Sequence, residues 1–187
     1  MGTLINKVIT ENTWIVECWK KGACFKSGKV KKYAERNRDR WLRWVDEFPN
    51  IVVTAGLNKY LDATLKTGLA APLWYVGLKS TGTPDAADTM ASHATWTETT
   101  DTFTATATRP AWTPGSISAG SVSNTASKAA FVIDFAGDVY GAFLCDAATG
   151  AGVGVTLLGV GNFTVSPRPV LIGDTLNVTV TCTQTAA

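Results

Sequence analysis

The fold is decided by a stretch in the C-terminal half, where residues 128–146 have the sequence KAAFVIDFAGDVYGAFLCD. Two apolar runs flank Ala-Gly-Asp at residues 136–138, a combination typical of a tight β-turn between two strands. We therefore predict a β-hairpin at this point. The chain around it, residues 73–185, is rich in small, apolar and hydroxyl side chains with frequent period-two alternation. This pattern predicts an all-β sandwich built around the hairpin.

Other parts of the chain add strands and one long loop to this sandwich. Residues 13–19 are rich in β-branched and aromatic types, residues 41–45 have a strand-like composition too, and we expect these two strands to pair. Residues 73–78 are apolar on both faces, which predicts a strand in the middle of a sheet. The Thr, Gly, Pro, Asp and Ser content of residues 79–94 indicates a surface loop.

One helix is expected within this β pattern, over about residues 54–67. Thr54 is a suitable N-cap, and Thr67-Gly68 is a suitable end because glycine readily adopts the left-handed conformation that follows a helix. An apolar stripe repeats at i, i+4 and i+8, and we expect it to face the core. This stripe consists of Leu57, Leu61 and Leu65.

Together these elements predict a mainly β protein, an antiparallel β-sandwich of jelly-roll-like type with one short α-helix and an N-terminal β/basic arm. We expect residues 1–50 to form the N-terminal strands and the basic arm, packed on a sandwich domain of residues 51–187. The content of 45% hydrophobic and 17% charged residues suits a folded chain. No run approaches the about 20 apolar residues of a membrane span, and the N-terminus lacks the pattern of a signal peptide.

The sequence contains no recognisable catalytic, cofactor or metal constellation, and we expect a non-enzymatic protein. Acid–base catalysis needs carboxylates or a histidine brought together, whereas most acidic residues of the β region fall in predicted turns. His93 is the only histidine. The four cysteines lack the Cys-x-x-Cys spacing of a zinc site. We expect Cys145 and Cys182 to be core residues, and Cys18 and Cys24 to be free thiols.

The charge of the chain is distributed unevenly. Residues 1–50 carry eleven Lys and Arg against six Asp and Glu, and residues 51–187 carry six against nine. Ten of the basic residues lie at residues 20–43, where only Glu35 and Asp39 oppose them, and we call this range the basic segment. Its candidate partner-binding residues are Lys29, Lys31, Lys32, Tyr33, Arg36, Arg38, Arg40 and Arg43.

Three roles are open for the basic segment. It can dock on an acidic protein surface, bind nucleic acid through phosphate contacts and base stacking, or project into solvent between two strands. Trp41 and Trp44 flank a strand-like run, so they are more easily buried against Trp14 and Trp19 than offered to bases. This argument favours docking on a protein and places nucleic acid last.

Six phrases follow one another along the chain in a recognisable order. They are EFPNIVVTAGLN at 47–58, WYVGL at 74–78, MASHATWTE at 90–98, TRP at 108–110, SNTASKAAF at 123–131 and GDTLNVTV at 173–180. In this order they resemble a family of small structural proteins of tailed bacteriophages, whose nearest functional analogues are capsid cement or decoration proteins. The resemblance covers about residues 45–185. The basic segment departs from the pattern, in which a shorter link joins the first two strands.

The resemblance implies a virion structural protein that is made in the host cytoplasm and lies on the capsid exterior. Such a β-sandwich subunit binds and stabilises the shell of major capsid protein. The resemblance also implies a homo-oligomer, a dimer or a trimer, on a local symmetry axis. The alternative is a phage tail or host-recognition module that uses the loops at residues 79–94 and 147–154. Nucleic-acid binding through residues 20–43 is the third hypothesis.

Overall fold

The computed structural model of the protein describes residues 8–66, 72–99, 108–134 and 136–186. Strands make up 44% and helices 13%, so the prediction of a mainly β fold with antiparallel sheets and a short helix is confirmed. The elements of the described residues are β1 (Val8–Trp19), α1 (Lys32–Arg36), α2 (Arg38–Trp41), β2 (Leu42–Pro49), β3 (Ile51–Val52), α3 (Thr54–Leu65), β4 (Tyr75–Gly82), β5 (Trp96–Glu98), β6 (Ser121–Ser123), β7 (Ala129–Val132), β8 (Gly137–Val139), β9 (Gly141–Cys145), β10 (Leu157–Asn162), β11 (Arg168–Val170) and β12 (Thr175–Ala186).

These strands form two five-stranded sheets and a two-stranded ribbon. In the first sheet β2, β1 and β12 lie side by side, and β6 and β7 pair with different parts of the other edge of β12. The second sheet has the order β3-β10-β9-β4-β5, and the ribbon pairs β8 with β11. The predicted pairing of residues 13–19 with residues 41–45 is confirmed, since Cys18 lies opposite Trp44 in an antiparallel register.

The main core lies between the two sheets and follows from the period-two alternation of their strands. Inward residues of β1 and β12 lie opposite each other in the pairs Trp14–Val180, Val16–Val178 and Cys18–Leu176. Strands β4 and β9 close the core from the second sheet through Val76, Leu78, Ala142 and Leu144. Because each large apolar side chain contributes about 1.5–3 kcal/mol when fully buried, this layer is the main source of stability.

A second core covers the outer face of the second sheet. It consists of Val53, Met90, Trp96, Phe143, Cys145, Leu157 and Val160. Strand β9 is buried along its whole length because it has a core on each face. The prediction of a surface loop at residues 79–94 is therefore wrong in part. Lys79 lies within β4 and is buried, and Met90 folds back from the loop to cover the apolar sheet.

The predicted hairpin at residues 136–138 is wrong. Strand β7 pairs with β12 in the first sheet, whereas β9 lies between β4 and β10 in the second, so the two apolar runs belong to different sheets. Residues 137–139 form β8, which pairs with β11. The reason is the apolar character of β9 on both faces. Such a strand is placed best in the centre of a sheet, where β4 and β10 occupy both of its edges and leave none for β7.

Helix α3 is present, but its orientation differs from the prediction. Thr54 is the first helical residue rather than the N-cap, and the predicted end at Thr67-Gly68 lies outside the described residues. Gly56 packs directly on the backbone of Leu158 in β10. The predicted apolar stripe points to solvent, with exposed fractions of 39% for Leu57, 50% for Leu61 and 77% for Leu65. The helix approaches the sheet through its smallest residue because a longer side chain would hold it away.

This packing predicts that Gly56→Ala destabilises the protein although alanine favours helices. A Cβ atom at this position would lie 2.4 Å from the Leu158 carbonyl oxygen. We expect a loss of about 1–3 kcal/mol from overpacking, which exceeds the gain of about 1 kcal/mol in helix propensity. Urea unfolding of Gly56→Ala and of the native protein measures the net change in the free energy of unfolding.

The matched control is Leu65→Ala on the same helix, which we expect to change the free energy of unfolding by less than about 0.5 kcal/mol. A larger loss for Leu65→Ala than for Gly56→Ala would show that the leucine stripe, not the glycine, faces the sheet.

Candidate functional site

The basic segment is a compact excursion between β1 and β2 with its own small core. A hydrogen bond from the Lys20 N–H to the Trp41 carbonyl closes its base at 2.9 Å. A turn that contains Gly28 brings Cys24 opposite Val30. The core of the segment is formed by Trp19, Ala23 and Ala34, with Cys24, Val30, Trp41 and Leu42 partly buried against them. The predicted burial is confirmed for Trp44, which belongs to the main core, and in part for Trp41, which is partly buried against the core of the segment.

Glu17 on the outer face of β1 is the first anchor of the basic segment. Its carboxylate accepts hydrogen bonds from Arg38 at 3.0 Å and from Lys128 at 2.7 Å. The Arg38 guanidinium also lies over the Trp19 ring, 5.1 Å from its centre. Burial acts to raise the pKa of Glu17, but the hydrogen bonds and charges of Lys128 and Arg38 outweigh it and hold the pKa below its ordinary value.

Asp174, the residue just before β12, is the second anchor. It is 1% exposed and binds Arg43 through two hydrogen bonds of 2.8 and 3.1 Å. The Leu171 N–H donates to the same carboxylate at 2.9 Å. Burial and the negative charge of Asp174 raise the pKa of the neighbouring Cys18 thiol, which disfavours the nucleophilic thiolate form. Arg43 therefore holds the end of the basic segment to the last strand.

Three other predicted residues make contacts within the basic segment. Lys31 donates to the Gly22 carbonyl at 3.0 Å, and the Tyr33 hydroxyl donates to the same oxygen at 2.5 Å. The Arg40 guanidinium lies 5.6 Å from the centre of the Trp41 ring. Of the predicted partner-binding residues, Lys31, Tyr33, Arg38, Arg40 and Arg43 thus all contribute to the fold of the segment.

Lys29, Lys32 and Arg36 form a different group. All three residues are exposed, and within the described parts of the chain their side chains make no ion pair and no hydrogen bond. Lys32 and Arg36 lie on α1, one helical turn apart. These three cations are available to a partner, whereas those that bind Glu17 and Asp174 are already neutralised. The sequence could not separate the two groups because their contacts depend on the fold, as in the pairing of Arg43 with Asp174, which lies 131 residues away.

Buried polar groups elsewhere have structural roles. Asp46, 3% exposed, accepts hydrogen bonds from Arg168 and from the Thr164 N–H. Lys79 donates to the carbonyls of Thr81 and Gly82, and burial lowers its pKa to about 8. His93, the only histidine, stacks on Trp96 with 4.0 Å between ring centres.

The cysteines follow the sequence-based expectation. Cys145 is buried in the second core, and Cys182 packs against the main core. Burial raises the pKa of Cys182 to about 12. All four cysteines are free thiols in the structure.

The described residues contain no group of three or more His, Cys, Asp or Glu side chains arranged to hold a metal ion. None of the helices in those parts of the chain is long and apolar enough to cross a membrane. Comparison with known proteins gives no family assignment, since no protein-family model matches the chain and no curated protein is significantly similar to it.

The Glu17 anchor predicts a pH-dependent stability. Because the folded pKa of Glu17 lies below the ordinary value of a glutamate, the anchor stabilises the protein fully above that ordinary value and is lost as pH falls through the folded pKa. We expect Glu17→Gln to cost about 2 kcal/mol at neutral pH, from weakened charge-assisted hydrogen bonds.

Urea unfolding of Glu17→Gln and the native protein at several pH values measures this effect. The difference between them should shrink as the solution is acidified below the ordinary glutamate pKa. Glu47→Gln, on the exposed face of β2, is the control and should show no such change. A constant difference for Glu17→Gln across the pH range would contradict the role of this carboxylate.

Proposed function

We infer that this protein is a capsid decoration subunit of a tailed bacteriophage, non-enzymatic, which binds the exterior of the shell through its basic segment. The observation that carries this proposal is a folded, anchored segment with three available cations, Lys29, Lys32 and Arg36. The resemblance over about residues 45–185 supports the choice of partner, the major capsid protein.

The anchoring of the segment suits it to protein binding. A loop that becomes ordered only on binding loses conformational entropy at that step, whereas the Glu17 and Asp174 anchors have already restricted residues 20–43. Three cations in one short stretch also attract an acidic surface and select its orientation. The basic segment therefore combines a low ordering cost with a defined charge pattern.

A shell-binding subunit needs no reaction chemistry, because its task is to bury surface across neighbouring shell proteins. Individually modest contacts are sufficient when a symmetric oligomer engages several sites at once. We propose a dimer or a trimer on a local symmetry axis of the capsid, since closed symmetry is the rule for such assemblies.

The test is a binding experiment with purified mature heads from which the protein has been removed. The native protein should rebind in many copies. The triple variant Lys29→Glu, Lys32→Glu and Arg36→Glu should bind at least about tenfold more weakly at physiological salt, because it reverses the charges that meet the shell. Its unfolding midpoint should stay close to that of the native protein.

Lys66→Glu is the charge control, since it reverses an exposed cation at the C-terminal end of α3, which is paired only with the exposed Asp62 and lies away from the basic segment. Absence of the native protein from purified heads would overturn the proposal. Location at the tail tip would support the host-recognition alternative instead. DNA binding that falls steeply with salt, and that the triple variant abolishes, would support the nucleic-acid hypothesis.

A further inference from the structure

The basic segment contains a small hairpin at residues 23–31, which we call the tip hairpin. The Phe25 N–H donates to the Lys29 carbonyl, and the Lys31 N–H donates to the Ala23 carbonyl, each at 2.9 Å. Side chains directly opposite one another in an antiparallel pair lie on the same face, and every second residue along a strand shares that face. Phe25, Lys29 and Lys31 therefore lie together on one face of the hairpin, which we call its outer face.

Contacts on the opposite face and at the turn fix the tip hairpin on the sandwich. Cys24 and Val30, which lie opposite each other, are partly buried against the core of the basic segment. Gly28 in the turn packs on β7, where a Cβ atom would lie 2.0 Å from the Cβ of Ala130. The Asn177 side chain on β12 donates a hydrogen bond to the Gly28 carbonyl at 3.0 Å. The outer face is consequently held in one orientation.

Phe25 is the apolar centre of the outer face. It is 53% exposed, and no other aromatic ring packs on it within the described chain. The Lys31 Nζ atom lies 5.4 Å from the centre of its ring. Transfer of an exposed aromatic side chain from water into an apolar pocket is favourable, and such side chains dominate the energetics of many interfaces. Phe25 is therefore placed to contribute to binding rather than to the fold.

Cations surround this ring. Lys26 follows Phe25 in the chain, Lys29 lies opposite it, and Lys31 lies over it. None of the three lysines forms an ion pair among the described residues. The carboxylates of the basic segment lie on α1 and α2, outside the tip hairpin. An apolar ring with a basic rim is complemented by an apolar pocket with an acidic rim.

Nucleic acid is the other anionic partner that aromatic and basic side chains bind, but the arrangement of the rings favours a protein. Single strands stack successive bases on several free rings. The next exposed ring, Tyr33, is held by its hydroxyl on the Gly22 carbonyl and lies edge to face with Trp41, with 5.3 Å between ring centres. Phe25 is the only aromatic residue of the tip hairpin. A single projecting ring fits one pocket and offers no series of stacking positions.

We propose that the outer face of the tip hairpin is the contact surface for an acidic protein, with Phe25 as the anchor that enters an apolar pocket. Lys29 and Lys31 pair with carboxylates at the rim of this pocket. Because the hairpin is already fixed, binding orders few side chains and no backbone. This inference rests on the proposed function, since the shell protein would supply the pocket.

The first test repeats the binding of the full chain to purified heads from which the protein has been removed. Phe25→Ala should bind at least about tenfold more weakly at physiological salt, because anchor residues carry much of the binding energy. Phe25→Trp keeps a ring and should bind within about threefold of the native protein. The control Ile117→Ala removes a side chain that is 78% exposed outside the basic segment, and it should bind like the native protein. Unfolding midpoints should stay close to the native value, because both residues are exposed.

A second test needs no shell. The dye 8-anilinonaphthalene-1-sulfonate combines an aromatic body with an anionic group, so it matches both the ring and its basic rim. Phe25→Ala and, separately, Lys29→Glu should reduce its fluorescence with the full chain at least about threefold, whereas Ile117→Ala should leave it unchanged. The neutral dye N-phenyl-1-naphthylamine lacks the sulfonate, and its signal should not depend on Lys29.

The failure of this inference is separable from that of the proposed function. Native protein that binds heads, together with Phe25→Ala that binds them equally well, would overturn the inference and leave the function intact. Native protein that does not bind heads would overturn the function, and the anionic dye then decides the inference. A dye signal that depends on Phe25 and Lys29 supports the surface, and a signal that ignores them overturns it. Binding of oligothymidylate that Phe25→Ala abolishes would overturn the choice of a protein partner.

Discussion

The antiparallel pairing of β1 with β12 is the constraint on which the rest of the structure depends. The two strands are in register along their full length, from Val8 opposite Ala186 to Trp19 opposite Thr175. Because side chains alternate, the same pairing directs one set of residues into the main core and another set outward. The outward set includes Glu17 and Asn177, which hold the basic segment. A shift of one residue would exchange these sets, so both the core and the position of the basic segment would be lost.

Buried carboxylates then join irregular segments to the sheets. Glu17, Asp46 and Asp174 each bind an arginine, and Asp46 and Asp174 also accept backbone N–H groups. For Asp46 and Asp174, whose side chains are almost fully buried, removal of the arginine leaves a buried charge that costs about 3–5 kcal/mol, so these two carboxylates strongly penalise a misplaced loop. For this reason residues 20–43 behave as a surface of the sandwich rather than as a tail.

The local hydropathy pattern of the sequence predicts where the strands lie better than it predicts which strands pair with each other. Alternation in residues 175–183 and the double apolar face of β4 are properties of single strands, and both were visible in the sequence. The prediction of a hairpin was wrong because the residues of the turn do not determine whether the following strand pairs with β7 or enters the other sheet. That choice depends on β4 and β10, which occupy both edges of β9. The predicted orientation of α3 was wrong because the leucine periodicity shows only which face of the helix is apolar. The close approach of Gly56 to β10 decides which face packs against the sheet.

The basic segment likewise could be located from the sequence, whereas the roles of its individual residues could not. Charge counting located the basic segment, but the distinction between Arg43 and Arg36 depends on Asp174, which is 131 residues away from Arg43 in sequence. Arg38 and Arg43 bind buried carboxylates, whereas Lys29, Lys32 and Arg36 are exposed and bind no carboxylate within the described residues. Substitution of an available cation changes the charge of the exposed surface without removing an anchor. The charge that the basic segment presents can therefore change at Lys29, Lys32 and Arg36, while Arg38 and Arg43 keep its position on the sheet.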